Sequence, residues 1–581
     1  MPRLLWPDMS RRNFSDMSAR PVLSQLFSLL EAYGVKAAVC SPGSRNAALL
    51  QEADRREGIK KYVVVDERSA GFIALGLAMV SRSPVALICT SGSALLNYAP
   101  AAVEAYYQGI PLIVVSADRP EIWINQDDSQ TIVQPGALAN VVKASYDLDG
   151  DNREEDYQWF ANRTINEALM TALAPKEGPV HINIHLNGKI NTEEHIIPEV
   201  EPSFPLRKIF RLVPPSRLDK EEINSLAELA MGKRIMLVAG FMPPDHKLQK
   251  AVATLAGLKN VAVMAETISN LHLPKENFMV DSALFPLSPS QARELAPELV
   301  ISLGGALISR KLKEFLREVK PEMHWALGHS DNVIDYFRAL TTKIEVSPAS
   351  FLQTFGKRLF RIQKALSPSM IPDYEGMWHE QRTGVGNRLK NVGWSDLKAL
   401  DMVLNSLPES ANLFLSNGTS VRYAQIIPYR LTHATYSNRG VSGIEGSTST
   451  AIGGMLAYGG MTCLISGDMS FGYDMAALAS DFADERMRIV VLDNGGGDIF
   501  RFIEATRHLD IREDYLCADM NVPVEKIARA YEWEYFYAAS EKELRKALRE
   551  FFKPKASPSI LHIDTSRNPD NASILRNFLN G

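Results

Sequence analysis

The chain has 581 residues, 46% of them hydrophobic and 23% charged, with a formal net charge of -5. That length exceeds a single hydrophobic core, so two to four domains are expected, and the mildly acidic balance excludes a nucleic-acid binder working through bulk charge; any anionic ligand has to be met by local Arg and Lys. With no apolar run of about 18 residues, no apolar leader, and four scattered cysteines (Cys40, Cys89, Cys463, Cys517) that lack metal-site spacing, the expectation is a soluble, cytoplasmic protein with reduced thiols and no membrane span.

The first dozen residues read as an extension. From Pro21 an apolar-periodic segment predicts a helix leading to a strand at 35–40, which opens into Ser41-Pro42-Gly43-Ser44-Arg45. A Gly/Ser turn with an arginine at a strand's carboxyl end can hold a carboxylate through charge-assisted hydrogen bonds; a solvated Arg beside a helix N-terminus is the alternative. Residues 61–65 predict a strand running into Asp66-Glu67-Arg68 and the apolar helix GFIALGLAMV. An acid where a buried strand gives way to a buried helix is poorly hydrated, which makes Glu67 a candidate acid/base; a helix-start Glu favoured by the macrodipole is the plainer reading.

Next comes strand, Ser91-Gly92-Ser93, helix, strand and Ala117-Asp118-Arg119-Pro120, then a polar loop containing Gln126 to Gln130, a closing strand near 180–186 and a Pro- and charge-rich link at 198–215. The middle third predicts five short strands separated by helices. Its Gly304-Gly305 is no GxGxxG, so a dinucleotide site is weakly supported, and Arg310-Lys311 beside that turn are a cationic pair or simply a solvated helix face.

After a charged helical stretch at 374–398, a strand opens into Ser416-Asn417-Gly418, followed by Tyr436-Ser437-Asn438-Arg439-Gly440 and Ser442-Gly443-Ile444-Glu445-Gly446. Ile444, apolar between glycines, is either a plug beneath its loop or a wedge under a bent ligand. Residues 461–500 then read as strand, Ser466-Gly467-Asp468, helix, strand and Asp493-Asn494-Gly495-Gly496-Gly497. In an open parallel sheet both turns lie at carboxyl ends of strands, where such sheets bind ligands. Asp468 and Asn494 offer hard oxygen ligands to a small cation, and the glycines let backbone approach a phosphate; the arrangement suits a magnesium diphosphate, against an ordinary α/β unit with a solvated Asp. Gly92 precedes Asp118 by 26 residues and Gly467 precedes Asn494 by 27, so one α/β unit looks used twice, with metal-type residues only in the second copy.

Taken in order, SPGSR, DERSAGFIALGLA, TSG, SADRP, SNRGVSGIEG, GD and NGGGDIF resemble the motifs of the 2-succinyl-5-enolpyruvyl-6-hydroxy-3-cyclohexene-1-carboxylate synthases, thiamine-diphosphate-dependent transferases of menaquinone biosynthesis. The resemblance runs from about Phe14 to the end. It implies an α/β fold of three doubly wound parallel-sheet domains: pyrimidine-binding (14–195), central (205–355) and diphosphate-binding (380–581). It also implies a homodimer or homotetramer with active sites between subunits. The reaction implied is decarboxylation of 2-oxoglutarate and conjugate addition of the succinyl semialdehyde unit to isochorismate.

Carried over position by position, the resemblance assigns Glu67 to the cofactor's aminopyrimidine ring, and Asp468, Asn494 and the Gly496 carbonyl to Mg²⁺ or Mn²⁺. Ile444 props the cofactor, and Ile499 and Phe500 wall the reacting carbon. Ser442, Gly443, Gly467, Met469, Ser470 and Gly497 complete the cofactor site. Ser44, Arg45, Arg119, Gln130, Arg310, Lys311, Arg422 and Ile503 are assigned to substrate. Three departures stand out: Asn417-Gly418 where Asn-Ser is common, Asp493 where Asn is frequent, and Arg310-Lys311 in place of Lys-Arg. The competing readings are a sister carboligase of the acetohydroxyacid-synthase type, which the Arg45, Arg119 and Arg422 set argues against, and a non-catalytic assembly module, which Glu67, Asp468 and Asn494 together argue against.

Overall fold

The computed structural model describes residues 18–174, 176–187, 197–212, 216–273, 280–330, 332–383, 385–428, 434–518, 520–568 and 571–580. The N-terminal extension expected from sequence lies outside them. Strands mostly alternate with helices, and the paired strands of every sheet run parallel, most of them joined by helical crossovers. The chain divides into two compact units, Met1–Ala78 with Arg82–Leu212, and Met79–Ser81 with Val213–Gly581.

The first unit holds one six-stranded sheet: β1 (Ala37–Cys40), β2 (Lys60–Val63), β3 (Val85–Cys89), β4 (Leu112–Asp118), β5 (Ser145–Asp149) and β6 (Val180–His185), in the order β2-β1-β3-β4-β6-β5. Strands β3 and β4 are buried along their whole length, as expected where helices cover both faces. On one face the helices Pro21–Ala32 and Glu155–Leu173 pack Leu26, Phe27, Ile165 and Leu169 against Ile113, Val115 and Ile182. On the other, Gly71 lets the helix Glu67–Ser81 approach Ala101 so closely that an added methyl would stand 2.8 Å from the Ala101 Cβ.

The sequence reading of 61–65 as a buried strand needs correction. β2 is an edge strand paired with β1 alone, and one of its faces is uncovered, with Val63 59% and Val65 77% exposed. Alternation places Tyr62 and Val64 inside and these two valines outside.

The second unit holds two sheets. The middle one joins β7 (Ile235–Ala239), β8 (Val261–Ala265), β9 (Leu299–Leu303), β10 (Met323–Leu327) and β11 (Leu340–Ile344) in the order β11-β10-β9-β7-β8. The last one joins β12 (Asn412–Leu415), β13 (Thr435–Tyr436), β14 (Thr462–Gly467), β15 (Met487–Asp493), β16 (Glu534–Ala538) and β17 (Ser559–Asp564) in the order β13-β12-β14-β15-β17-β16. Buried amides join these two sheets. Gln425 Oε1 accepts from the Thr267 N–H at 2.8 Å, and Asn270 exchanges two hydrogen bonds with the Thr435 backbone, at 2.7 and 3.0 Å. All four cysteines are buried and unpaired, and among the described residues no helix is long and apolar enough to cross a membrane.

Candidate active site

In the first unit the singled-out residues gather at the carboxyl edge of the sheet. Ser41, directly after β1, is anchored by Tyr98, whose hydroxyl donates to the Ile88 carbonyl and shares a hydrogen bond with the Ser41 hydroxyl, each at 2.9 Å. The turn that follows runs against the end of β3: a Cβ on Gly43 would meet the Thr90 side chain at 2.4 Å. Ser44 is exposed and Arg45 half-buried. Burial and the nearby Arg119 depress the Arg45 pKa, while Asp128 and Asp118 oppose that shift. Arg119 follows β4, and its guanidinium already pairs with Asp128 Oδ2 at 2.5 Å and donates to the Ser129 carbonyl. Gln130 is exposed with φ +57°, and its backbone packs against Gly92. The first unit therefore carries two cations at this edge, one of them held by its own loop.

Glu67 opens the helix Glu67–Ser81, with Asp66 as its cap: the Asp66 carboxylate accepts from the Arg68 and Ser69 N–H groups. Glu67 is half-buried, so the poorly hydrated acid expected at this junction is only partly realised within the chain, because the strand before it is an exposed edge. Its charge lies close enough to Cys89, at the end of β3, to help hold that thiol protonated, after burial as the main cause.

In the second unit, the ends of β12, β14 and β15 bring the other motifs together. Asp468 is the first residue of the helix after β14 and is 6% exposed. Its carboxylate accepts from the Met469 N–H at 2.8 Å and the Gly496 N–H at 2.9 Å, which ties the two predicted turns to each other. Burial first, and the neighbouring Asp493 second, push its pKa up to about 7. Asn494 donates through Nδ2 to Asp396 Oδ2 at 2.7 Å, and Gly495, Gly496 and Gly497 run with φ of +79°, +83° and +50°.

Gly467 faces open space, with nothing within 4 Å of where a Cβ would stand, whereas a Cβ on Gly497 would fall 2.3 Å from the Cys517 backbone. A bare backbone cradle beside one carboxylate, one amide oxygen and the Gly496 carbonyl is a hard-oxygen donor set, and it fits a small divalent cation with a diphosphate. Among the described residues no three His, Cys, Asp or Glu side chains cluster for a metal.

The loop bearing Ser442, Gly443 and Ile444 is tied down from two sides. Asn417 Nδ2 donates to the Gly443 and Asn438 carbonyls at 2.6 Å each, and Ser470 Oγ donates to the Ile444 carbonyl at 2.6 Å. Ser442 takes φ +64°, and Ile444 is left 37% exposed on top of the loop, not buried as a plug. Ile499 and Phe500 open the short helix Ile499–Phe502 and are half-buried.

Arg310, Lys311, Arg422 and Ile503 line one cavity of about 570 Å³. Arg422 donates to the Gly418 carbonyl, and burial with the nearby Arg439 lowers its pKa to about 10. Four further groups belong to this neighbourhood and were missed in the sequence. Arg507 and Arg576 line the same cavity, as does Asp281. Glu266, fully buried at the end of β8, accepts from the Ile308 and Ser309 N–H groups, both at 2.7 Å, and so holds the start of the helix Arg310–Val319. Its place directly after a strand was a readable signal, the same one that marked Glu67. Arg576, on the C-terminal helix Asn571–Asn580, had no comparable motif.

Two family models match: the N-terminal TPP binding domain of thiamine pyrophosphate enzymes over residues 21–137, and the C-terminal TPP binding domain over 417–563. Three proteins each named 2-succinyl-5-enolpyruvyl-6-hydroxy-3-cyclohexene-1-carboxylate synthase align along nearly the whole chain. That of Porphyromonas gingivalis is 40% identical (97% of each chain), that of Bacteroides thetaiotaomicron 35% (95% of this chain, 97% of the relative), and that of Flavobacterium johnsoniae 33% (93% and 95%). With the oxygen-donor cradle at the ends of β14 and β15 and a cationic cavity in the same unit, the chain belongs to the 2-succinyl-5-enolpyruvyl-6-hydroxy-3-cyclohexene-1-carboxylate synthase family of thiamine pyrophosphate enzymes.

Proposed function

We propose that this chain is a thiamine-diphosphate-dependent transferase that decarboxylates 2-oxoglutarate and adds the succinyl semialdehyde unit to isochorismate in menaquinone biosynthesis. The observation that carries the reading is the joining of Asp468 to Gly496 at the ends of β14 and β15, in the unit that also holds a cavity lined by Lys311 and Arg422. When bound, thiamine diphosphate supplies the nucleophilic carbon and the electron sink for decarboxylation and carbon–carbon bond formation.

The chain's own groups do the rest. Asp468, Asn494 and the Gly496 carbonyl hold Mg²⁺ or Mn²⁺, and Gly467, Met469, Ser470 and Gly497 receive the diphosphate through backbone and hydroxyl groups. Ser442, Gly443 and Ile444 support the cofactor from the pinned loop. Glu67 holds a proton toward the pyrimidine ring, and Ile499 and Phe500 keep water from the reacting carbon. Each substrate carries two carboxylates. Lys311 and Arg422 have no carboxylate at ion-pair distance among the described residues, and with Arg310 they receive one end of a substrate beside Ile503. Ser44, Arg45, Arg119 and Gln130 receive another.

The proposed domains are pyrimidine-binding (14–195), central (205–355) and diphosphate-binding (380–581). The proposed assembly is a cytoplasmic homodimer or homotetramer with active sites between subunits, a reading supported by the uncovered Val63 and Val65 just before Glu67.

The test is mass spectrometry of protein, thiamine diphosphate, Mg²⁺, 2-oxoglutarate and isochorismate, with each component omitted in turn. A product heavier than isochorismate by one succinyl semialdehyde unit, formed only in the full mixture, is expected. CO₂ release without that adduct would replace the acceptor, and no turnover by folded, cofactor-loaded protein would remove the enzymatic reading.

A further inference from the structure

Asn494 is the one proposed metal ligand whose side chain has two ends of the same shape and opposite chemistry, an acceptor oxygen and a donor NH₂. Only the oxygen can bind a cation, so something has to decide which end faces the site. In the structure Asn494 Nδ2 donates to Asp396 Oδ2 at 2.7 Å, and among the described residues Asn494 Oδ1 accepts no hydrogen bond. Asp396 is fully buried at the start of the helix Asp396–Leu404. It is clamped in turn: the Thr565 hydroxyl donates to its Oδ1, and the Asn571 side-chain oxygen accepts from its backbone N–H at 2.9 Å. Thr565 is itself fixed to the end of β15 by its N–H to the Asp493 carbonyl at 2.8 Å.

We propose that Asp396 is the positioning residue of the metal centre, holding the NH₂ of Asn494 so that its carbonyl oxygen is presented to the cation. The inference rests on the proposed metal role of Asn494. Both Asp396 oxygens act as acceptors in the structure, Oδ1 toward the Thr565 hydroxyl and Oδ2 toward Asn494, so Oδ2 meets the NH₂ end of the amide; the opposite orientation would set two acceptors against each other at a buried carboxyl. Asp396, Thr565 and Asn571 all lie outside the segment matched by the C-terminal family model, 417–563, and Asp396 reaches Asn494 across 98 positions of sequence.

Asp396→Asn retains size and removes the discrimination, because an amide at 396 can face either end of Asn494. Mn²⁺ affinity, followed by electron paramagnetic resonance in the presence of thiamine diphosphate, is expected to fall 10- to 100-fold, the range typical for groups that orient a metal ligand. The thermal midpoint of the metal-free variant is measured alongside, since a purely structural role would lower that midpoint and leave Mn²⁺ affinity unchanged in the folded protein. A second pair guards against a variant that does not fold. Asn494→Asp alone sets two carboxylates face to face, whereas Asp396→Asn with Asn494→Asp restores the hydrogen bond with its roles exchanged and is expected to bind Mn²⁺ more tightly than Asn494→Asp alone. Wild-type affinity in Asp396→Asn, or no recovery in the double variant, overturns the positioning role while leaving the metal site standing. A wild-type protein that binds no Mn²⁺ with thiamine diphosphate overturns the site and the positioning role together.

Discussion

The first and last sheets share one strand order: in both, the second strand of the sheet lies outside the first, followed by the third, fourth, sixth and fifth. In both, the third strand ends in a glycine turn and the fourth in an aspartate. Two positions then diverge. Ser93 stands where Asp468 stands in the last sheet, and Arg119 stands where Asn494 does. The two glycines diverge as well: Gly92 takes φ +85° and gives its N–H to Gln134 Oε1, whereas Gly467 keeps an ordinary extended φ of -75° and faces open space. The shared scaffold delivers loop ends to one edge. The side chains at two positions differ in kind: a carboxylate and an amide at the last sheet's edge, a hydroxyl and a guanidinium at the first's.

The comparison can be broken or sharpened by substitution. Asp468→Ala should weaken Mg²⁺-dependent retention of thiamine diphosphate by more than about 100-fold, beyond the range for groups that only orient a ligand; a calorimetric titration with normal affinity would show that the last sheet's acid is ornamental. Glu67→Gln should lower turnover by about 10²- to 10⁴-fold with the cofactor still bound, the range for a positioned acid/base group. Unchanged turnover would leave the first sheet with carboxylate binding alone.

Arg422→Ala should raise the KM of one substrate by about 10- to 100-fold, as follows from losing a charge-assisted hydrogen bond of about 1.5–3 kcal/mol. KM values for both substrates unaltered from wild type would remove the cationic cavity from substrate binding.

A smaller effect separates how the two sheets treat charge. His185, at the end of β6, is raised from 6.5 to about 9, chiefly by its hydrogen bond to Asp147 at 3.1 Å, with the Arg119 carbonyl and Asp118 adding to it. Because its folded pKa lies above the unfolded one, its contribution is complete below about pH 6.5 and disappears as pH rises through about 9. His185→Gln should therefore destabilise the first unit by about 1–2 kcal/mol at pH 6 and by little at pH 10, read from hydrogen exchange of the β6 amides. Equal protection at both pH values would deny the first sheet its own charge balance. Finally, Ser93→Asp should create no second Mn²⁺ site, since Arg119 occupies the place of the amide ligand. A second binding event would mean that the scaffold alone makes the site.

Much of this architecture was legible in local pattern. The strand and helix alternation, the duplicated spacing and the placement of Asp468 and Asn494 at strand ends all follow from apolar runs broken by Gly, Asp and Asn. The reading failed where a strand's neighbours matter. The apolar content of 61–65 suggested burial, but β2 lies at an edge and exposes Val63 and Val65. Likewise Gln126 to Gln130 read as a polar loop, and nothing local revealed that Asp128 would take up the charge of Arg119.

By itself the sequence determined which elements form, in what order, and which side chains stand at the turns, because backbone propensity and apolar periodicity act over a few residues. Only the tertiary structure decided what those side chains meet. Asp396 accepts a hydrogen bond from Asn494 across 98 residues, Glu266 holds the start of the Arg310 helix across 42, and Arg576 enters the cavity from the helix Asn571–Asn580. Such partners are chosen by how helices pack on a sheet, where a buried donor must find an acceptor wherever the chain brings one.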